Sequence, residues 1–236
     1  MIILGIETAT MTGGAGIVNG SQFIAELRLN VKTTHSERLL PGVDYLLRQS
    51  GLELADVDAI AVSVGPGSFT GLRVGLSLAK GMAFATGKPI VAVPTLEAFA
   101  WNFPFSRHPV CILFDARKKE LYGAVFRWNE TGCFFERLVP ESVMGPARWA
   151  EELKKHEKTV LAGEGAVIYR DALSTALGGE EKGSFCFAPP QKMSPSPSNV
   201  AFAGHKLAER GLFVADPAAL VPFYIRKSEA ELKKNP

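Results

Sequence analysis

Apolar and polar positions along the first thirty residues form short runs that are separated by glycine-rich turns. Residues 2–6 are a continuous apolar run, which predicts a buried strand. Asn19-Gly20 is typical of a two-residue hairpin turn, and it separates residues 15–18 from Gln22–Leu29. The pattern therefore predicts three antiparallel strands in a meander at the start of the chain.

Helical periodicity follows these three strands. Leucine and valine residues on one helical face predict the first helix: Leu39, Leu40, Val43, Leu46 and Leu47. We place Pro41 in or near the first turn of this helix, because an interior proline costs about 3 kcal/mol. Later apolar runs predict a strand, a long helix, a second strand and a short helix, at residues 59–64, 70–86, 89–93 and 96–103.

The second half of the chain repeats this order. Val110–Asp115 predicts a buried strand that ends in a carboxylate, as the first strand ends before Glu7. Two further strands are predicted at 123–126 and 133–139, followed by a helix near Pro146. A strand and two helices complete the chain, at residues 159–162, 166–177 and 199–210.

The order βββαβα thus occurs twice, and the alternation of strands and helices predicts an α/β fold with sheets covered on both faces. A duplicated βββαβα order is the plan of the actin, Hsp70 and sugar-kinase superfamily, an RNase H-like architecture. We therefore predict two actin-like lobes, an N-terminal lobe at residues 1–105 and a C-terminal lobe at 106–236.

The long helix at residues 70–86 has an unusual composition. Its only charged residues are Arg73 and Lys80, and its apolar residues point around nearly the whole circumference. A helix that is apolar on all sides must be covered on all sides, so it is either wholly internal or part of a partner interface. We take the interface as the hypothesis and assign it to this helix and the first one, at Leu39, Val43, Leu46, Leu72, Arg73, Leu76, Leu78 and Met82.

A glycine-rich turn precedes this helix, with the sequence Gly65-Pro66-Gly67-Ser68-Phe69-Thr70-Gly71. Free N–H groups at a helix start can bind phosphate, although the spacing is neither that of a Walker A loop nor GxGxxG. The alternative is a tight turn capped by Ser68 or Thr70. If a nucleotide or phosphate binds, the candidate residues are Glu7, Thr8, Thr10, Gly65, Gly67, Ser68 and Asp115.

Charge and composition narrow the function classes. The net charge of +2 over 236 residues predicts weak binding of nucleic acid by the chain alone. The four histidines lack metal-ligand spacing and no GxSxG motif is present, so we expect neither a metal site nor catalytic residues. Three separated cysteines are expected to be buried reduced thiols. The apolar start is too short for a signal peptide, and we expect a soluble, cytoplasmic protein without membrane contact.

Several motifs together resemble the TsaB (YeaZ) family over essentially the whole chain. They are Ile3-Leu4-Gly5-Ile6-Glu7-Thr8, His35-Ser36-Glu37-Arg38-Leu39-Leu40-Pro41, the glycine-rich turn with Leu72-Arg73, Phe114-Asp115-Ala116-Arg117 with Glu120-Leu121-Tyr122, and Pro222-Phe223-Tyr224-Ile225-Arg226. The resemblance implies a non-catalytic scaffold that stabilises a TsaD-like catalytic subunit during threonylcarbamoyl modification of tRNA adenosine next to the anticodon.

The resemblance also implies the partners. A TsaE-like ATPase joins the complex, the chain forms a homodimer when alone, and tRNA is met only through the complex. TsaD-like sequences carry two metal-binding histidines where this chain has Thr95 and Phe99, which argues against transferase or metalloprotease activity. No intrinsic cofactor is expected, and ATP binding is left open. The alternative is an ATP-binding phosphotransferase or ATPase of the actin-like superfamily that would use Glu7 and Asp115.

Overall fold

The computed structural model describes residues 1–156 and 158–226. Two compact units are present in the described chain: Met1–Phe99 with Pro195–Tyr224, and Ala100–Ser194 with Ile225 and Arg226. This division corrects the boundaries predicted at 1–105 and 106–236, because residues 195–224 return to the first unit. The physical reason lies in the last helix, which covers the sheet of that unit.

The described chain folds into ten strands and seven α-helices. The strands are β1 (Ile2–Glu7), β2 (Gly13–Asn19), β3 (Gln22–Leu29), β4 (Ala59–Gly65), β5 (Ile90–Pro94), β6 (Val110–Asp115), β7 (Leu121–Asn129), β8 (Phe134–Met144), β9 (Thr159–Ala162) and β10 (Phe185–Phe187). The helices are α1 (His35–Gln49), α2 (Phe69–Thr86), α3 (Thr95–Ala100), α4 (Pro146–Leu153), α5 (Glu164–Ile168), α6 (Arg170–Leu177) and α7 (Pro197–Glu209). Short 3₁₀ turns lie at Leu54–Asp56, Glu180–Lys182 and Pro190–Lys192.

The two sheets have the same topology, which confirms the predicted duplication. The first sheet has the order β3-β2-β1-β4-β5 and the second has β8-β7-β6-β9-β10. In each sheet the first three strands of the unit are antiparallel, and the fourth and fifth are parallel additions. Each unit is therefore a mixed five-stranded sheet built from one meander and two crossover strands.

In the first unit, helices cover both faces of the sheet. Helices α1 and α2 bury their apolar sides against β1, β2 and β4, and α7 packs on the same strands. Glycines allow α7 to approach closely, since a Cβ at Gly5 would lie 2.4 Å from the backbone nitrogen of Ala201 and one at Gly16 would lie 2.5 Å from that of Ser198. The second face could not be covered without the returning helix.

The first helix starts earlier than predicted. The carboxylate of Glu37 accepts a hydrogen bond from the backbone N–H of Thr34 at 3.1 Å, which is one half of a capping box. Since the helix begins at His35, Pro41 is its seventh residue and lies inside it, beyond the first turn in or near which it was predicted. Pro41 is exposed, where its ring meets solvent and not the core.

The second unit differs from the prediction in detail. The single helix predicted at residues 166–177 is two helices, α5 and α6, because the backbone at Tyr169 leaves the helical region. The three-residue strand β10 was not predicted from the sequence.

Cys111 is buried, but Cys133 is exposed and Cys186 is half-buried, so the expectation of three buried thiols is wrong for two of them. Within residues 1–156 and 158–226, none of the helices combines the length and apolar character that a membrane crossing requires.

Candidate partner-binding surface

Helix α2 presents one buried side and one exposed side. The cap at its start is Ser68, whose hydroxyl accepts a hydrogen bond from the N–H of Gly71 at 3.2 Å, and the helix ends at Gly87 with a φ of 69°. Between these ends, residues at spacings of three and four line the outer side of the helix. We define the docking face as these residues together with the neighbouring leucine of α1: Leu40, Thr70, Arg73, Val74, Ser77, Leu78, Gly81 and Phe84.

The docking face exposes large apolar side chains. Phe84 is 94% exposed and Leu40 is 57% exposed, whereas Val74 and Leu78 are half-buried. A groove of about 520 Å³ runs between α1 and α2. Its apolar lining is Leu39, Leu40, Val74 and Leu78, and its polar lining is His35, Ser36, Thr70, Arg73 and Ser77. Exposed large apolar side chains beside a groove are typical of a protein-binding site.

Most of the predicted interface residues lie elsewhere. Val43, Leu46, Leu72, Leu76 and Met82 are each at most 6% exposed and belong to the core of the first unit, which corrects that part of the assignment. Leu39 is 3% exposed and also packs in this core, although its side chain lines the floor of the groove. These side chains are buried within the chain because α1 and α2 cover one face of its own sheet. Arg73 is exposed and Leu78 is half-buried, so both remain available.

Sequence reasoning missed Phe84 as a surface residue. Phe84 lies eleven residues after Arg73, three helical turns along the same side. Leu72, Leu76, Ala79 and Met82 form the opposite stripe. A helical projection of α2 could have separated these two sides. Because apolar residues occur on both sides, composition alone did not show which side is exposed.

A clamp from the start of α1 holds the segment after β1. Arg38 donates hydrogen bonds to the carbonyl of Met11 at 2.7 Å and to that of Leu29 at 3.2 Å. Its guanidinium also lies 3.1 Å from Nδ1 of His35. Because arginine has only donors, Nδ1 must accept, and the proton of the neutral ring then sits on Nε2. Nε2 accordingly donates to the carbonyl of Thr10 at 2.8 Å, and burial, with the Arg38 charge, lowers the pKa of His35.

The glycine-rich turn packs against the chain itself. The N–H of Ser68 donates to the carbonyl of Ala9 at 2.7 Å. A Cβ at Gly67 would lie 2.6 Å from that of Ala9, and a Cβ at Gly71 would lie 2.0 Å from the carbonyl oxygen of Thr8. The glycines therefore permit close backbone contact with residues 8–9, and this geometry favours the capped turn over a phosphate loop.

The candidate residues of β1 are buried beside this turn. Glu7 and Thr8 are both 0% exposed, and Thr10 is buried with its hydroxyl donating to the carbonyl of Thr12 at 2.9 Å. One oxygen of Glu7 accepts from the N–H of Ala9 at 2.6 Å. Burial nevertheless raises the pKa of Glu7 to about 7, because removing the carboxylate from water outweighs its hydrogen bonds. Burial therefore favours the protonated, neutral form of Glu7 up to about neutral pH.

Thr95 and Phe99 complete this region. The hydroxyl of Thr95 accepts from the N–H of Gly65 at 2.8 Å, and both residues are buried, at 0% and 1% exposure. In the described ranges no cluster of three or more histidine, cysteine, aspartate or glutamate side chains is arranged to hold a metal ion. The contact of Thr95 is therefore structural: its hydroxyl accepts a hydrogen bond from the glycine-rich turn.

Asp115, the corresponding residue of the second unit, also caps a turn. Its carboxylate accepts from the N–H of Arg117 at 2.8 Å and from the hydroxyl of Tyr169 at 3.3 Å, and it forms an ion pair with Arg117 at 3.2 Å. Residues 117–119 that follow all have a positive φ, between 54° and 62°. The contacts of Asp115 are those of a carboxylate that stabilises a strained turn.

A C-terminal segment packs on the start of α2. The N–H of Phe223 donates to the carbonyl of Val64 at 2.7 Å. The ring of Tyr224 stacks on Phe69 with 4.5 Å between centroids, and its hydroxyl accepts from Nε of Arg73 at 2.9 Å. Two separate motifs of the sequence, the glycine-rich turn and Pro222-Phe223-Tyr224, are therefore in contact.

The fold and these contacts can be compared with known proteins. The chain is 34% identical to the tRNA threonylcarbamoyladenosine biosynthesis protein TsaB of Bacillus subtilis, over 99% of this chain and 97% of that protein. The chain belongs to the TsaB family. This confirms the family that the sequence motifs indicate.

Other TsaB relatives agree. The Escherichia coli protein TsaB is 36% identical over 62% of this chain and 63% of its own length. The structure of YeaZ from Pseudomonas aeruginosa superposes with a TM-score of 0.74 at 24% identity, covering 95% of this chain and 99% of that one, and shows the same fold. The family model described as TsaD, tRNA N6-adenosine threonylcarbamoyltransferase, matches residues 29–234, so the TsaB family is related to that transferase.

Proposed function

We propose that this chain is a partner subunit in tRNA threonylcarbamoyladenosine biosynthesis that binds and stabilises a TsaD-like catalytic subunit through the docking face. The relatives named TsaB support the pathway. The observation that carries the partner role is Phe84, a large aromatic side chain 94% exposed on the outer side of α2, the helix that forms one wall of the groove.

The energy that a partner gains at this surface is substantial. Burying an exposed phenylalanine contributes roughly 1.5–3 kcal/mol, and Leu40 and Leu78 offer further apolar area at the groove. Aromatic side chains, phenylalanine among them, are enriched in protein interfaces. A docking face of this kind suits a stable subunit contact.

We assign the chemistry of the pathway to the partners. Glu7 and Asp115 are engaged by backbone N–H groups of their own turns, and Thr95 and Phe99 stand where the resemblance places metal-binding histidines in TsaD-like sequences. With a net charge of +2, the chain is suited to meet tRNA as part of the complex and not alone. A TsaE-like ATPase supplies nucleotide hydrolysis in this proposal, and self-association through the docking face occurs when the TsaD-like subunit is absent.

The test compares two exposed phenylalanines of the same unit. Phe84→Glu places a charge on the docking face, whereas Phe23→Glu places one on β3, where Phe23 is 58% exposed. We expect the first variant to weaken binding to the TsaD-like subunit by roughly 100-fold or more, with the second within a few-fold of the unchanged chain. Isothermal titration measures the affinities, and circular dichroism verifies that both variants are folded. Equal affinity of Phe84→Glu and the unchanged chain would refute the proposal.

A further inference from the structure

Arg73 differs from every other residue of the docking face, because among the described residues it is the only lysine, arginine, aspartate or glutamate that lines the groove. Its Nε is engaged by the hydroxyl of Tyr224 at 2.9 Å, and its guanidinium carbon lies 5.7 Å from the centre of that ring. In the part of the chain that the structure describes, Arg73 forms no ion pair with a carboxylate. The groove lining contains no acidic residue either.

The contacts of Tyr224 hold this guanidinium in place. The tyrosine ring stacks on Phe69, one turn before Arg73, with an interplanar angle of 22°. Its backbone neighbour Phe223 is fixed to β4 through the carbonyl of Val64, and Gly65 has no room for a side chain because a Cβ there would lie 2.5 Å from the carbonyl oxygen of Phe223. The C-terminal segment therefore packs on β4, the strand that leads into α2, and these contacts fix the position from which Tyr224 contacts Arg73.

This arrangement leaves a pre-oriented donor fork at the edge of an apolar groove. With Nε held by Tyr224, the two terminal amino groups of Arg73 match the geometry of a carboxylate. Fixing the side chain in advance removes part of the entropy cost of binding. An occupant that brings both an apolar side chain and a carboxylate is complementary to the groove in shape and charge.

We propose that Arg73 pairs with a carboxylate of the TsaD-like subunit, with an apolar side chain of that subunit filling the groove, and that Tyr224 is a positioning residue for Arg73. This inference rests on the proposed function and names the polar contact that gives its docking face specificity. It also gives the Pro222-Phe223-Tyr224 motif a role in partner binding, exerted through α2.

Three variants test the pairing by titration with the TsaD-like subunit at low and high salt. Arg73→Gln removes the charge, Arg73→Lys keeps it without the fork, and Tyr224→Phe keeps the stacking but loses the hydrogen bond. We expect Arg73→Gln to weaken binding roughly 10- to 100-fold and to flatten its salt dependence. Arg73→Lys should restore only a small part of the affinity. Tyr224→Phe should weaken binding roughly 3- to 10-fold while its thermal midpoint stays close to that of the unchanged chain.

The outcomes separate this inference from the function on which it rests. If Phe84→Glu abolishes binding while Arg73→Gln binds normally, the docking face is correct and the pairing of Arg73 is wrong. If Arg73→Gln weakens only self-association of the chain, measured by sedimentation, the occupant is a second copy and the proposal is overturned. If Tyr224→Phe changes thermal stability but not affinity, Tyr224 has a structural role only, and its assignment as a positioning residue fails.

Discussion

Replacing Glu7 with glutamine should change how the stability of the protein depends on pH. Glu7 is completely buried, and burial raises its pKa from the ordinary 4.5 to about 7. Each unit of pKa difference between the folded and unfolded states corresponds to about 1.4 kcal/mol. Ionised Glu7 therefore lowers the free energy of unfolding by about 3 kcal/mol relative to protonated Glu7.

The sign follows from proton binding. Between pH 4.5 and about 7 the folded state holds the proton of Glu7 while the unfolded state has released it. The free energy of unfolding consequently falls as pH rises through this window and levels off above it. In Glu7→Gln the side chain carries no titrating proton, so this component of the pH dependence disappears.

Urea unfolding at pH 5, 6, 7 and 8 measures both proteins under identical conditions. Taking the difference between them cancels the titration of every other group. We expect the unchanged chain to lose about 2.5 kcal/mol relative to Glu7→Gln between pH 5 and pH 8, since part of the full effect lies below pH 5. Parallel curves, with a constant difference across this range, would show that Glu7 is not desolvated as the structure has it.

Two further predictions concern the turn and the clamp. Gly71→Ala should destabilise the protein by about 2–3 kcal/mol because its Cβ would lie 2.0 Å from the carbonyl oxygen of Thr8. The control Gly81→Ala, on the same helix with open space around it, should stabilise the protein by about 1 kcal/mol. Similar urea midpoints for the two variants would contradict the close approach of Gly71 to Thr8. Nitrogen-15 NMR should find His35 protonated on Nε2 and titrating below its ordinary pKa, and a proton on Nδ1 would disprove the clamp.

The duplicated plan could be predicted because it depends on local patterns. Strands such as β1 and β6 are short apolar runs ending in a carboxylate, and each starts the same series of elements. Periodicity of two or of 3.6 residues distinguishes strands from helices without knowledge of the rest of the molecule. The same strand order in both sheets then follows from the repeated element order.

What the sequence could not show depends on contacts between distant segments. The sequence of α7 predicts a helix but not the surface on which that helix packs. Its position is set by the uncovered second face of the first sheet, where Gly5 and Gly16 leave room for a close approach. The strand β10 is too short to have a pattern of its own, and its pairing with β9 defines it.

The sequence predicted that the candidate site lies on helices α1 and α2, but not which of their residues are exposed. A helix such as α2, with apolar residues on every side, gives no hydrophobic contrast by which to tell inside from outside. Packing against α1 and the sheet decides it, and leaves Phe84 outside while Leu72 and Leu76 go inside. The contact between Arg73 and Tyr224 joins residues 151 positions apart, which sequence spacing cannot reveal.

The central claim, that the docking face meets the TsaD-like subunit, is tested most directly by photo-cross-linking from Phe84. A benzophenone amino acid is introduced at position 84, and in a second protein at position 23, and each is irradiated in the presence of the TsaD-like subunit. We expect a cross-linked heterodimer from position 84 and none from position 23, with mass spectrometry mapping the product to a single surface of the partner. A complex that forms but gives no cross-link from position 84, or gives an equal yield from position 23, would contradict the account.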